Sequence, residues 1–278
     1  MFGFEDYCKF VNPIDSLKKK CYNIYKKKEN KFMLEDYYFN EKDYEIFNEE
    51  NVSSIRPEII EQRKIVQQKL YDINDDIKDK LLEKKLHNHW RNENITSLIY
   101  PCAFNKGKVN WLGIRYGRSK REIALLNYNL GFNDKDKLGF QKYACFQLNV
   151  EKKGIAIGLY HAVEKNAVDR MYLHENIDDK TTILCSLIKQ IQGLGITWYI
   201  SDSEGKIQKF AFDDENPNNF MLFYKNFDKD GCTSAIFYEI PKKDKRIKTK
   251  EGIEEITLEI INYLYDFYQE IIWKKKED

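Results

Sequence analysis

Alternating apolar and polar positions in the middle of the chain predict a pair of β-strands. Every second residue between 143 and 150 is apolar, and the same period of two runs from 155 to 161. A period of two with β-branched and aromatic residues is typical of half-buried strands. The segment that joins them, Glu-Lys-Lys-Gly at 151–154, ends in glycine, which favours a short hairpin loop. The two strands are therefore predicted to form a hairpin.

Two more strands are predicted upstream, at residues 111–117 and 122–128, with the basic sequence Gly-Arg-Ser-Lys-Arg as the turn between them. The alternation places Arg115 on the same face as Gly113 and Gly117. Glycines inside a strand let another backbone or a ligand approach closely. This face is therefore a candidate contact surface.

Apolar residues recur at steps of three and four from Pro57 onward, and this spacing predicts a long helix that runs to about Trp90. Pro57 suits the first turn of a helix because its missing N–H would have no partner there. The same spacing predicts a last helix over residues 253–271. Similar criteria predict helices at residues 165–175 and 179–192, and strands at residues 196–200, 207–212 and 233–240.

Strands clustered in runs with helices at the ends are typical of an α+β fold. The predicted architecture is an antiparallel sheet packed with helices, with a long N-terminal helix and a C-terminal helix. We divide the chain into an aromatic and charged N-terminal region at 1–50, a long helical segment at 51–94 and an α+β domain at 95–278.

Composition adds limits to this picture. The chain has 46 Lys and Arg against 45 Asp and Glu, a formal net charge of +1, so no global basic field attracts nucleic acid. The six cysteines include no C-x-x-C pair, which disfavours zinc fingers and a disulfide framework. The N-terminus lacks a basic region before an apolar run, and no apolar run has membrane-spanning length. We therefore expect a cytoplasmic protein without a membrane partner.

Several short motifs carry a family resemblance. They include Asn-Trp-Leu-Gly-Ile from Asn110, Gly-Arg-Ser from Gly117, Gly-Leu-Tyr from Gly158 and Gly-Ile-Thr-Trp from Gly195. From about His87 to the C-terminus, the order of elements resembles a bacterial domain of unknown function that accompanies restriction-endonuclease-like domains. The resemblance implies a setting in DNA-related defence or its antagonism, and it transfers no catalytic residue.

The basic turn suggests contact with nucleic acid, because guanidinium and ammonium groups bind phosphates and aromatic rings stack on bases. The alternative interpretation is a solvated hairpin turn. The candidate nucleic-acid-binding residues are Arg115, Arg118, Lys120, Arg121, Trp111 and Tyr116.

Glu151 and Lys153 match the E-x-K half of a restriction-type nuclease site. That chemistry needs a second carboxylate to bind Mg²⁺, and Asp136 is the candidate taken from the residues upstream. The competing interpretation, which the sequence favours, treats Glu151 and Lys153 as ordinary residues of a hairpin turn.

Other catalytic patterns are weak. His87 and His89 are two residues apart, so on a helix they diverge and do not form a metal pair. No nucleotide-binding glycine loop is present. The sequence therefore favours a non-catalytic interaction protein without a cofactor, acting in or against a nucleic-acid-targeting defence system. We expect a protein partner, with nucleic acid and a second copy of the chain as further candidates. The rival hypothesis is a divergent Mg²⁺-dependent nuclease.

Overall fold

The computed structural model describes residues 36–88, 95–131, 142–163, 167–202, 204, 206–212, 216, 219–229 and 232–274. The helices in these ranges are α1 (Glu41–Glu45), α2 (Pro57–Glu83), α3 (Lys120–Asn129), α4 (Val168–Gln190), α5 (Asn219–Phe227) and α6 (Lys250–Ile271). The strands are β1 (His87–Asn88), β2 (Trp111–Gly117), β3 (Cys145–Glu151), β4 (Gly154–Val163), β5 (Thr197–Ser201), β6 (Ile207–Ala211) and β7 (Thr233–Pro241). None of the described helices is long and apolar enough to cross a lipid bilayer.

The strands form one sheet in the order β1-β2-β3-β4-β7-β5-β6. Every neighbouring pair is antiparallel. The last strand in the chain, β7, therefore lies between β4 and β5. The predicted α+β class is confirmed, with an antiparallel sheet, a long helix near the N-terminal side in α2 and a C-terminal helix in α6.

One face of the sheet, here called the first face, carries the apolar core. Ile114, Leu148 and Ile157 lie opposite one another in three neighbouring strands and are fully buried. Helix α2 contacts β2, and α4 and α6 contact β4 and each other. Burying a large aliphatic side chain contributes about 1.5–3 kcal/mol, so this layer of helices on the sheet is the main source of stability.

The alternate residues of the same strands form the second face of the sheet. Over β2 to β4 it includes small or polar residues that are buried, such as Gly113, Gln147 and Ala156, together with the half-buried rings of Trp111 and Tyr160. Over β5 and β6 it is more open, since Tyr199 is half-buried and Lys209 is exposed. The predicted alternation therefore separates an apolar face from a face with polar chemistry.

The prediction of a strand at residues 122–128 is wrong, because these residues belong to helix α3. The Ser119 hydroxyl accepts a hydrogen bond from the Glu122 N–H at 3.1 Å, and the Glu122 carboxylate accepts one from the Ser119 N–H at 2.7 Å. This reciprocal capping satisfies donors at the start of a helix. The basic segment at 117–121 is therefore the start of a helix, and the hairpin turn predicted there is absent.

Helix α2 ends at Glu83, earlier than the predicted Trp90, which lies outside the described residues. The Leu86 N–H donates to the Leu81 carbonyl at 2.9 Å. Lys85 adopts a left-handed conformation with φ of 59°. This bonding pattern terminates a helix because it satisfies the last carbonyl groups. The helix therefore ends at Glu83, although the apolar spacing that predicted a longer helix continues beyond this residue.

The helices predicted at 165–175 and 179–192 are one continuous helix, α4. No glycine or proline stands between them, and Ile177 is buried in the same apolar row as Leu173 and Leu184. Residues 165 and 166 lie outside the described ranges. The division into two helices was an error of boundary placement, since the periodicity itself was correct.

Candidate functional site

A cleft of about 500 Å³ lies where the β3–β4 hairpin turns. Its walls come from the hairpin, from β7, from the residues before β2 and from the turn after α1. Phe47 and Val52 supply apolar surface. The charged groups that line the cleft are three glutamates, Glu49, Glu151 and Glu239, and three lysines, Lys108, Lys152 and Lys153.

The hairpin that carries Glu151 is held firmly by β7. Gly154 follows the two-residue turn with φ of +150°, and a Cβ atom there would lie 2.0 Å from the Ile240 carbonyl oxygen. The Lys242 N–H donates to the Lys153 carbonyl at 3.0 Å. Glycine is required because the β7 backbone passes so close. The turn therefore has one fixed position beside β7.

The strand register brings Glu151 and Glu239 to the same side of the sheet. Glu151 lies opposite Gly154, and Glu239 lies opposite Ala156. Opposed residues share a face, and so do residues two apart in one strand. Only the small residues Gly154 and Ala156 stand between the two glutamates on β4. Both glutamates therefore lie on the second face, on the two strands that flank β4 and two residues apart in register.

The environment of Glu151 favours its neutral form. The pKa of this half-buried carboxyl is raised to about 7, because burial and the negative charge of Glu239 together outweigh the opposing effect of the Lys153 ammonium. Burial and the charge of Glu239 likewise raise the pKa of Tyr199 to about 12. Glu151 therefore gains or loses its proton near neutral pH. This property suits a group that transfers protons or a carboxylate that binds a cation.

In the described parts of the chain, no group of three or more His, Cys, Asp and Glu side chains is arranged to hold a metal ion. Mg²⁺ differs from zinc in this respect, because one or two protein carboxylates usually hold it together with waters and substrate phosphates. Glu151 and Glu239 fit that requirement. Asp136, the second carboxylate proposed from the sequence, lies outside the described residues.

Arg118, a predicted nucleic-acid-binding residue, is buried in an ion pair. Its guanidinium donates to both carboxylate oxygens of Asp169, at 2.6 and 2.9 Å, and to the Trp273 carbonyl at 2.8 Å. Asp169 also accepts from the backbone N–H groups of Ala144 and Trp273, at 2.7 and 2.8 Å. These contacts join the end of β2 to the start of α4 and to the chain after α6.

The other predicted nucleic-acid-binding residues are separated by the fold. Trp111 lies directly opposite Glu151 and is half-buried on the second face. Arg115 is buried on the same face, with its guanidinium 4.9 Å from the centre of the Tyr160 ring. Tyr116 lies in the core, whereas Lys120 and Arg121 are exposed at the start of α3.

Sequence reasoning missed Glu239. The predicted strand at 233–240 contains it, and alternation places it on the same face as Ala235 and Phe237. A carboxylate at a strand position whose neighbours on that face are apolar was the available signal. The partner strand was not predictable, because β4 and β7 are separated by α4, β5, β6 and α5 in the chain.

Comparisons with protein-family models, with curated proteins and with solved structures find no match for this chain. The resemblance drawn from short motifs therefore stays a prediction. Fold alone does not define function, so the chemistry of the cleft is the basis for assigning one.

Proposed function

We propose that this chain hydrolyses phosphodiester bonds with a divalent cation held by Glu151 and Glu239. One observation carries the proposal: Glu151, with a pKa of about 7, lies half-buried beside a second carboxylate in a cleft that also contains three lysines. This arrangement retains the E-x-K hypothesis and replaces Asp136 with Glu239 as the second acidic residue.

Burial is the larger cause of the raised pKa of Glu151, and repulsion from the negative charge of Glu239 is the second cause. A proton removes the repulsion, and so does a dication. When bound, Mg²⁺ supplies Lewis acidity and an activated water. Glu151 and Glu239 are the residues that would hold it in this cleft.

The three lysines of the cleft have different roles in this proposal. Lys153 is the cation that acts on Glu151, since its charge lowers the pKa of that carboxyl. Lys108 and Lys152 are exposed on the walls of the cleft, where ammonium groups bind phosphate oxygens. We assign Lys153 to the reacting phosphate, and Lys108 and Lys152 to the phosphates on either side.

Cleavage of labelled single- and double-stranded DNA and RNA by the full chain with Mg²⁺ tests the proposal. We expect Glu151→Gln to lower the rate by about 100-fold or more, the size expected for loss of a proton-transferring or cation-holding carboxylate. Glu175→Gln is the matched control, because Glu175 is exposed on α4 and does not line the cleft. A chelator should abolish cleavage. The proposal fails if the wild-type chain cleaves none of the four substrates with Mg²⁺ or Mn²⁺, or if Glu151→Gln cleaves at the wild-type rate.

A second candidate, non-catalytic binding of a protein or nucleic-acid partner, is supported by the surface of α3. Tyr128 is 80% exposed, and Lys120 and Arg121 are exposed at the start of the same helix. The defence setting for such a partner rests on the motif resemblance. Binding that weakens with salt and in Lys120→Ala plus Arg121→Ala would favour this candidate. Arg118 is unsuitable for this test, because its replacement would leave buried Asp169 without its counter-charge.

A further inference from the structure

We infer that the substrate of the cleft is a single-stranded nucleic acid that lies over the accessible part of the second face, from the cleft to β5 and β6. This inference rests on the proposed function for the position of the reacting phosphate, and it names the class of substrate. It is carried by aromatic side chains on the same face as Glu151 and Glu239.

Phe237 lies two residues before Glu239 in β7 and on the same face of the sheet. It lies opposite Gly158 on β4 and is half-buried. A Cβ atom on Gly158 would lie 2.8 Å from a ring atom of Phe237. Because Gly158 has no Cβ, the Phe237 ring lies close to the β4 backbone and forms a flat apolar surface on the sheet. Such a surface suits stacking by a nucleic-acid base.

Tyr199 and Lys209 continue the surface on the next strands. They are directly opposed in β5 and β6, and the Lys209 ammonium lies 4.8 Å from the centre of the Tyr199 ring. Lys209 is exposed and Tyr199 is half-buried. A ring paired with an ammonium group combines base stacking with phosphate neutralisation, the two contacts that single-strand-binding proteins use.

Trp111 extends the surface on the other side of the cleft. It lies directly opposite Glu151 in the neighbouring strand and on the same face. Neighbouring strands lie about 4.8 Å apart, so the four steps from β2 to β5 cover about 19 Å across the sheet, and Tyr199 also lies six residues, about 20 Å, farther along the strands than Trp111. Glu151 and Glu239 lie within this span, between Trp111 and Tyr199. A bound nucleic-acid strand would therefore pass over Glu151 and Glu239, and it would contact aromatic side chains on both sides of them.

A double helix does not fit this chemistry. Its bases are stacked on one another and present only their edges in the grooves, whereas unpaired bases can be splayed onto aromatic rings. The aromatic side chains Trp111, Phe237 and Tyr199 would have no role against a duplex. With Lys209, four lysines lie along the proposed path of the nucleic acid, against three glutamates that line the cleft, and their ammonium groups can contact phosphates.

Fluorescence anisotropy with a labelled 12-nucleotide oligothymidylate and a hairpin duplex of equal length tests the inference. The wild-type full chain is measured in a chelator, so that no cleavage occurs. We expect tighter binding of the single strand. Phe237→Leu plus Tyr199→Leu should weaken that binding by tenfold or more, as loss of two stacked bases requires. Tyr263→Leu, which removes a 40% exposed tyrosine from α6, is the matched control and should not change binding.

Lys209→Met gives an independent reading, since its exposed side chain can be replaced without disturbing the core. It should reduce the slope of log affinity against log salt by about 0.7, the value for one phosphate contact of a single strand. The inference is overturned if the duplex binds as tightly as the single strand, if neither variant changes binding, or if the oligothymidylate does not bind at low salt. A strand that binds in this way but is never cleaved refutes the proposed hydrolysis alone.

Discussion

Replacing Glu151 with glutamine tests the electrostatic account of the cleft without any substrate. The pKa of this carboxyl rises from 4.5 to about 7 in the folded chain. One pKa unit corresponds to about 1.4 kcal/mol, so ionised Glu151 lowers the free energy of unfolding by at most about 3.5 kcal/mol. The side chain is partly exposed to water, which screens its charge, so we expect about 2 kcal/mol. Glutamine is uncharged and avoids this loss.

The pH window follows from the direction of the shift. The folded chain binds the Glu151 proton more tightly than the unfolded chain does. The contribution of protonated Glu151 to the free energy of unfolding is therefore fully present below pH 4.5 and is lost as the pH rises through about 7. Glu151→Gln should therefore match the wild type at pH 4.5. At pH 8 it should be about 2 kcal/mol more stable, as measured by urea unfolding followed by circular dichroism.

Glu175→Gln is the control, because this exposed glutamate of α4 lies outside the cleft. It should change stability by the same small amount at both pH values. Glu239→Gln should reproduce part of the gain at pH 8, since the charge of Glu239 is the second cause of the raised pKa of Glu151. A difference between Glu151→Gln and wild type that is the same at pH 4.5 and pH 8 would refute the reasoning.

Three further substitutions test the framework around the cleft, each by urea unfolding at pH 7. Asp169→Asn should destabilise the chain by about 3–5 kcal/mol, because Arg118 would stay buried without its counter-charge; a loss below about 1 kcal/mol would contradict this. Gly154→Ala should lower the free energy of unfolding by about 2 kcal/mol or more, since the added Cβ would collide with the β7 backbone. Gly107 also has a positive φ but has open space around it, so Gly107→Ala should cost about 1 kcal/mol. Equal losses would show that the β7 backbone does not pass close to Gly154. Ser119→Ala should lower the free energy of unfolding by about 1 kcal/mol, because it removes the N-cap of α3. An unchanged free energy of unfolding would show that this capping contact does not stabilise the chain.

Local patterns in the sequence were sufficient to predict the hairpin that forms part of the cleft, from its period of two and its glycine. The spacing of Glu151 and Lys153 offered the E-x-K hypothesis, although the sequence favoured their interpretation as turn residues. Glu239 was not predictable in the same way. Its position beside Glu151 depends on the pairing of β4 with β7, which is a long-range contact that periodicity does not encode.

Two errors have identifiable physical causes. Residues 122–128 contain enough apolar residues to suggest a strand, but the Ser119 and Glu122 pair three residues apart is a helix-start signal that should have outweighed them. Arg118 looked like a surface cation because it stands in a basic sequence. Its partner Asp169 is far away in the chain, so only the folded structure reveals the ion pair.

The position of β7 has a consequence for biosynthesis. This strand emerges last from the ribosome, yet it completes the centre of the sheet between β4 and β5. Until residue 241 has been made, a nascent chain presents two unpaired inner edges with apolar residues on one side, the kind of surface that chaperones protect. A chain truncated before Thr233 would therefore expose both edges and be prone to aggregate.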